Sequence, residues 1–135
     1  MKPLKILLGI LGMDQHEVGA LAVASMLRDA GLEVVYLGRF NLPPHIVKAA
    51  VQEDADVIGL SCHSWEYIYY LDELMQLLQE QDLEIPVVVG GSVLTPDDER
   101  AMRKKGISAA FGPGASADSI VSTVQQLAGG RERNG

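Results

Sequence analysis

Short apolar runs rich in β-branched residues alternate along this chain with longer stretches in which apolar side chains recur every three or four positions. The first pattern suits strands and the second amphipathic helices, and their regular alternation is the mark of parallel strands joined by crossover helices. Strands are predicted over residues 4–9, 33–37, 56–61, 85–89 and 108–112. The first, third and fourth are nearly continuous apolar runs, as strands buried on both faces require. Helices are predicted over residues 17–30, 44–53, 65–81, 97–105 and 117–127. Gly31 and Gly106 stand where a left-handed stop belongs, Pro44 and Pro96 where a first helical turn tolerates proline, and Thr95 where a cap is needed. In the third helix Ile68, Leu71, Leu74, Met75 and Leu78 form the expected apolar face.

Five strands and five helices in this order predict an α/β fold: a single doubly wound five-stranded parallel sheet of flavodoxin-like (Rossmann-like) order 2-1-3-4-5. Ligands then bind at the carboxyl ends of the strands, beside the switch point between strands one and three. The loops that gather there begin at Ile10, Gly38, Ser61, Gly90 and Gly112. One domain is expected over residues 1–128, followed by a polar tail at 129–135 that is expected to fray.

Composition narrows the function. A chain of 135 residues with 47% hydrophobic content builds one compact domain with a real core. A formal net charge of -7, with the 11 Lys and Arg scattered, argues against a nucleic-acid partner, which requires a basic stripe. The single cysteine, Cys62, cannot form an internal disulfide, and the first residues lack a secretory pattern, so a cytoplasmic location is expected. The longest apolar runs fall far short of the roughly 20 residues that cross a bilayer, so no membrane association is expected.

The loop after strand one, Gly12-Met13-Asp14-Gln15-His16, is longer than a minimal strand-to-helix turn. His16 is its one good metal ligand, and Asp14 can accept the other ring hydrogen and so fix the tautomer. Read alone, the same residues also suit a helix cap and a solvent-facing histidine. Ser61 at the end of strand three and Gly90-Gly91 after strand four carry the same ambiguity, between a cap and a turn on one side and ligand contacts on the other. Cys62 reads as a small packing residue and His45 as an exposed one. Trp65, Tyr67, Tyr69 and Tyr70 follow closely in a chain with only 5% aromatics, and suit either core packing or a contact surface for a partner subunit.

The spacing of these elements resembles the cobalamin-binding domains of adenosylcobalamin-dependent carbon-skeleton mutases and methionine synthase. Their fingerprint is Asp-x-His-x-x-Gly, then Ser-x-Leu after about forty residues, then Gly-Gly after a little under thirty; here Asp14, His16 and Gly19 are followed by Ser61 and by Gly90-Gly91 at matching intervals. The turn Gly112-Pro113-Gly114 also looks like the family's. The resemblance covers residues 4–127, with one departure: Ser61-Cys62-His63 puts an imidazole where the family has leucine.

The resemblance implies that adenosylcobalamin is the cofactor, with His16 ligating cobalt from below in place of the dimethylbenzimidazole and Asp14 orienting His16. The released nucleotide tail would lie in a groove beside the sheet, with Gly19, Ser61, His63, Gly90, Gly91, Pro113 and Gly114 at the cofactor. It implies a separate large TIM-barrel catalytic subunit that closes the upper corrin face and makes most contacts to an acyl-coenzyme A substrate. The expected function is thus the small subunit of a methylmalonyl- or hydroxyisobutyryl-type mutase, active only with its large subunit. Alternatives are the small subunit of a glutamate-type amino-acid mutase and a stand-alone corrinoid carrier or cobalamin-based sensor. Carriers and sensors usually hold a helical bundle ahead of this domain, and the stretch before strand one is too short for one. A phosphorelay receiver would need an acid at the end of strand three, where Ser61 stands.

Overall fold

A computed structural model describes residues 3–11, 18–62, 67–91, 94–112 and 114–134. The elements run β1 (Lys5–Leu11), α1 (Val18–Asp29), β2 (Glu33–Asn41), α2 (Pro43–Glu53), β3 (Val57–Ser61), α3 (Tyr67–Glu80), β4 (Val87–Gly90), α4 (Pro96–Lys104), β5 (Ala109–Phe111) and α5 (Ala117–Asn134). The strands form one parallel sheet in the order β2-β1-β3-β4-β5, as their alternation with helices predicts.

Because strand side chains alternate between faces, the sheet supports two separate cores. Leu7, Ile58, Leu60, Val87 and Val89 meet α2, α3 and α4 through Ile46, Leu71, Leu74 and Met102. On the opposite face Ile6, Val57, Val88 and Ala109 meet α1 and α5 through Leu27, Val124 and Ala128. Helix ends follow their sequence signals. Gly31 and Gly106 adopt positive φ of 95° and 101° beyond α1 and α4. At the start of α4 the Thr95 hydroxyl accepts from the Asp98 N–H at 3.2 Å, and the Asp98 carboxylate accepts from the Thr95 N–H at 2.9 Å, a reciprocal capping box.

Three expectations are corrected. In α3 the buried stripe is Tyr67, Leu71, Leu74 and Leu78, whereas Ile68 is 43% exposed. Ile68 lies one residue, or about 100°, around the helix from Tyr67, and the larger ring takes the inward place. Helix α5 continues to Asn134, through Gly129 and Gly130, beyond the end predicted at 127. Ala128 is fully buried one turn after Val124, so packing carries the helix past that point, and glycine costs only about 1 kcal/mol per residue relative to alanine.

Strand β2, predicted to end at 37, runs on to Asn41 through a register irregularity opposite Gly9. There Gly38 and Phe40 take positive φ of 74° and 65°. For a phenylalanine that conformation is strained, and Asn41 holds it in place. The Asn41 side-chain amide, 2% exposed, donates to the Gly38 carbonyl at 2.7 Å and to the Ile10 carbonyl at 3.1 Å. Gly9 makes room for it, since a Cβ there would approach Asn41 Nδ2 to 3.0 Å. Asn41→Ala would strip a partner from two carbonyls of the β1–β2 edge. The expected cost is about 2 kcal/mol in urea unfolding, while Thr95→Ala at the exposed α4 cap costs about 1 kcal/mol.

Candidate functional site

The α1/α5 face of the sheet is incompletely covered. A cleft of about 340 Å³ opens there, within the range of small-ligand and cofactor sites. Its floor is the face carrying Gly59, Ser61, Gly90 and Phe111, and its walls are Ala20 and Val23 of α1 and Ile120 and Val124 of α5. Alternation explains the floor: Gly59 and Ser61 of β3 and Gly90 of β4 point to the α1/α5 side, and two of these three positions have no side chain to fill the space. The cleft extends to Gly91 and Gly112 at the carboxyl ends of β4 and β5, where the fold is expected to bind ligands.

Several residues singled out by spacing meet at this cleft. Gly19 at the start of α1, Ser61, Gly90 and Gly91 all line it. The two adjacent glycines serve different ends. A Cβ on Gly90 would have only the Phe111 carbonyl oxygen near it, at an ordinary 3.8 Å, so its missing side chain leaves the cleft open. A Cβ on Gly91 would fall 1.7 Å from the Cys62 carbonyl oxygen, so at this position glycine is required by the protein's own backbone. Cys62 N–H in turn donates to Gly90 O at 2.8 Å, and Gly91 N–H to Phe111 O at 3.1 Å, joining the ends of β3, β4 and β5. Gly114 lies in the β5–α5 connection and does not line the cleft. Asp14, His16, His63 and Pro113 lie outside the described residues.

The spacing analysis passed over Gly59. A glycine inside an apolar strand is itself a signal of close approach, and a Cβ here would come within 3.0 Å of Ile6 Cδ1 and Leu8 Cδ1 on the cleft floor. The cleft residues Val23, Phe111, Ile120 and Val124 carried no signal beyond apolar character. Cys62 is buried and His45 exposed, as expected. Tyr67 packs into the core and Tyr70 is half-buried against it, while Tyr69 is exposed; Trp65 lies outside the described residues. Burial, and secondarily the nearby Asp98 carboxylate and Cys62, push the Tyr67 hydroxyl above its ordinary pKa, and a hydrogen bond to Asp98 adds to the shift. Tyr67 therefore remains a proton donor at neutral pH.

The arrangement suits a ligand with a flat, largely apolar part that inserts between the sheet and its helices. Small residues on the floor, short apolar walls and the Ser61 hydroxyl suit such a group with a hydrogen-bonding edge.

Comparison with known proteins agrees. The B12 binding domain family matches residues 4–122. The chain is 38% identical to the pivalyl-CoA mutase small subunit of Xanthobacter autotrophicus, over 93% of this chain and 84% of that one. It is 33% identical to the 2-hydroxyisobutanoyl-CoA mutase small subunit of Aquincola tertiaricarbonis, over 96% of this chain and 95% of that one. Among solved structures, a cobalamin-binding protein from Desulfitobacterium hafniense superimposes with a TM-score of 0.81 over 93% of this chain and 60% of that one; at 23% identity this is a likeness of fold alone. With a family match over most of its length and relatives of nearly its own size, the chain belongs to the B12-binding domain family and, within it, to the small subunits of coenzyme A mutases.

Proposed function

We propose that this chain is the cobalamin-binding small subunit of an adenosylcobalamin-dependent acyl-coenzyme A mutase of the methylmalonyl or hydroxyisobutyryl type. The observation that carries this reading is the glycine-floored cleft at the carboxyl ends of β3 and β4, in a chain that spans 95% of a mutase small subunit. In this reading His16 would hold the cobalt of the bound cofactor, and Asp14 would accept its other ring hydrogen, orienting the imidazole and raising its basicity. Ser61 offers its hydroxyl to a nitrogen of the displaced base. Gly90 leaves space that the base occupies, Gly59 makes room for the Ile6 and Leu8 methyl groups that floor it, and the α1 and α5 walls keep water from it. By the same resemblance His63, Pro113 and Gly114 would contact the cofactor. When bound, adenosylcobalamin supplies a weak cobalt–carbon bond and hence the radical that drives the rearrangement.

Radical chemistry needs a dry chamber above the corrin. In this reading a separate large TIM-barrel subunit builds that chamber and binds the acyl-coenzyme A substrate, and the exposed carboxyl rim of the sheet faces it. No helix among the described residues is long and apolar enough to cross a membrane, and we place the assembled enzyme in the cytoplasm.

Titration with hydroxocobalamin, followed in the visible spectrum, tests the reading. Wild type should bind with the dimethylbenzimidazole released and histidine ligated, and His16→Ala should lose the histidine-ligated spectrum; an unchanged spectrum in that variant rules out His16. Gly90→Val should reach into the cleft, because its Cβ meets nothing nearer than the Phe111 carbonyl oxygen at an ordinary 3.8 Å and valine favours strands. Its unfolding free energy should stay within about 1 kcal/mol of wild type while cobalamin affinity falls by roughly tenfold or more. Undiminished affinity in Gly90→Val would place the nucleotide tail elsewhere. The loaded chain should not isomerise acyl-coenzyme A substrates until a large subunit is added, and turnover by this polypeptide alone would refute the subunit assignment.

A further inference from the structure

We propose that the first turn of α4 is a clamp that holds the mouth of the cofactor cleft open at a fixed width, with Glu99 and Tyr67 as positioning residues for cobalamin binding. This deepens the cobalamin reading above and rests on it.

Two consecutive acids of α4 send their carboxylates to two different elements, the turn after β5 and the start of α3. Glu99 Oε1 accepts from the Gly112 backbone N–H at 3.1 Å, across 13 residues of sequence. Asp98, whose Oδ2 closes the capping box with Thr95, also accepts from the Tyr67 hydroxyl at the start of α3. The helix is already capped by Thr95 and Asp98, so neither the Glu99 carboxylate nor the Tyr67 hydroxyl is needed to start it. The first bond reaches instead into the connection that follows β5, and the second to the first residue of α3, the element that follows β3. A carboxylate accepting a backbone N–H is a charge-assisted bond, stronger than the neutral bonds of an ordinary turn.

The position of Gly112 shows why this matters to the cleft. It lines the opening directly after β5, and it is confined there: a Cβ would meet the Leu94 carbonyl oxygen at 3.2 Å and Glu99 Oε1 at 3.4 Å. One residue earlier, the Phe111 carbonyl accepts from the Gly91 N–H at 3.1 Å. The turn after β5 is thus pinned from both sides, by β4 through its backbone and by α4 through Glu99. Among the described residues α4 contributes nothing to the cleft itself, so its acids act on the cofactor only indirectly, through Gly112, which lines the cleft, and through Tyr67, which does not line it but anchors the start of α3. Loops fixed before the ligand arrives do not have to be ordered on binding, and affinity gains accordingly.

Hydroxocobalamin titration of the full chain, run beside urea unfolding of the cofactor-free protein, tests the clamp. Glu99→Ala should bind about tenfold more weakly, whereas Glu99→Gln, whose side-chain carbonyl still accepts from Gly112, should stay within about threefold of wild type. Tyr67→Phe keeps the buried ring, removes only the hydroxyl and should weaken binding about threefold or more. Lys105→Ala is the control: it breaks the 2.9 Å ion pair with Asp72 at the far end of α4 and should lower stability without changing affinity. Wild-type affinity in Glu99→Ala, an equal loss in Glu99→Gln, or a matching loss in Lys105→Ala would each overturn the clamp. If wild type itself takes up no cobalamin, the cobalamin reading falls and the clamp with it; if wild type binds and the Glu99 and Tyr67 variants bind equally well, the clamp alone fails.

Discussion

A parallel sheet has to be covered on both faces, and this protein covers one closely and leaves the other ajar. On the α2/α3/α4 face, branched and long side chains from the strands mesh with those of the helices. On the α1/α5 face Gly90 stands where a side chain would otherwise rise to fill the gap, Gly59 lets the Ile6 and Leu8 methyl groups lie close beneath it, and α1 answers with Ala20 and Val23. Filling that gap would bury more apolar surface at about 25 cal/mol per Å², so the opening forgoes stability the fold could have had. Such a concession is typical of a ligand site and uncommon in a core that serves only to fold.

The carboxyl rim shows how the opening is kept from collapsing. Backbone hydrogen bonds tie Cys62 to Gly90 and Gly91 to Phe111, and the close approach of Gly91 to the Cys62 carbonyl leaves no room for any other residue. Two glycines side by side therefore serve opposite ends, one to leave the cleft open and one to let two stretches of backbone touch. On the other side of the sheet Asn41 ties the end of β2 to Ile10 and Gly38 and holds Phe40 in a left-handed conformation.

Much of this could be read along the chain. Continuous apolar runs identified β1, β3 and β4 as doubly buried, helix periodicity separated them, and the alternation implied the strand order. The interval from Asp14 and His16 to Ser61 and on to Gly90 pointed to one rim, and four of the described residues so marked, Gly19, Ser61, Gly90 and Gly91, line one cleft. What escaped was decided by neighbours distant in sequence. Ile68 satisfies the helical period as well as Tyr67 does, and only packing against the sheet side selected the tyrosine. Ala128 extends α5 because it finds a place in the core, which overrides the weak helix propensity of the glycines that follow.

Periodicity was enough by itself to determine the class of fold, and the intervals from Asp14 and His16 to Ser61 and Gly90-Gly91 to mark the family the chain resembles, because these depend on local pattern and on spacing along one chain. The width of the cleft, the separate duties of Gly90 and Gly91, and the reach of Glu99 to Gly112 were decided only in three dimensions. A contact between a helix and a turn 13 residues away leaves no periodic trace, and whether a missing Cβ faces a ligand or a carbonyl depends on what the fold has brought to lie opposite it.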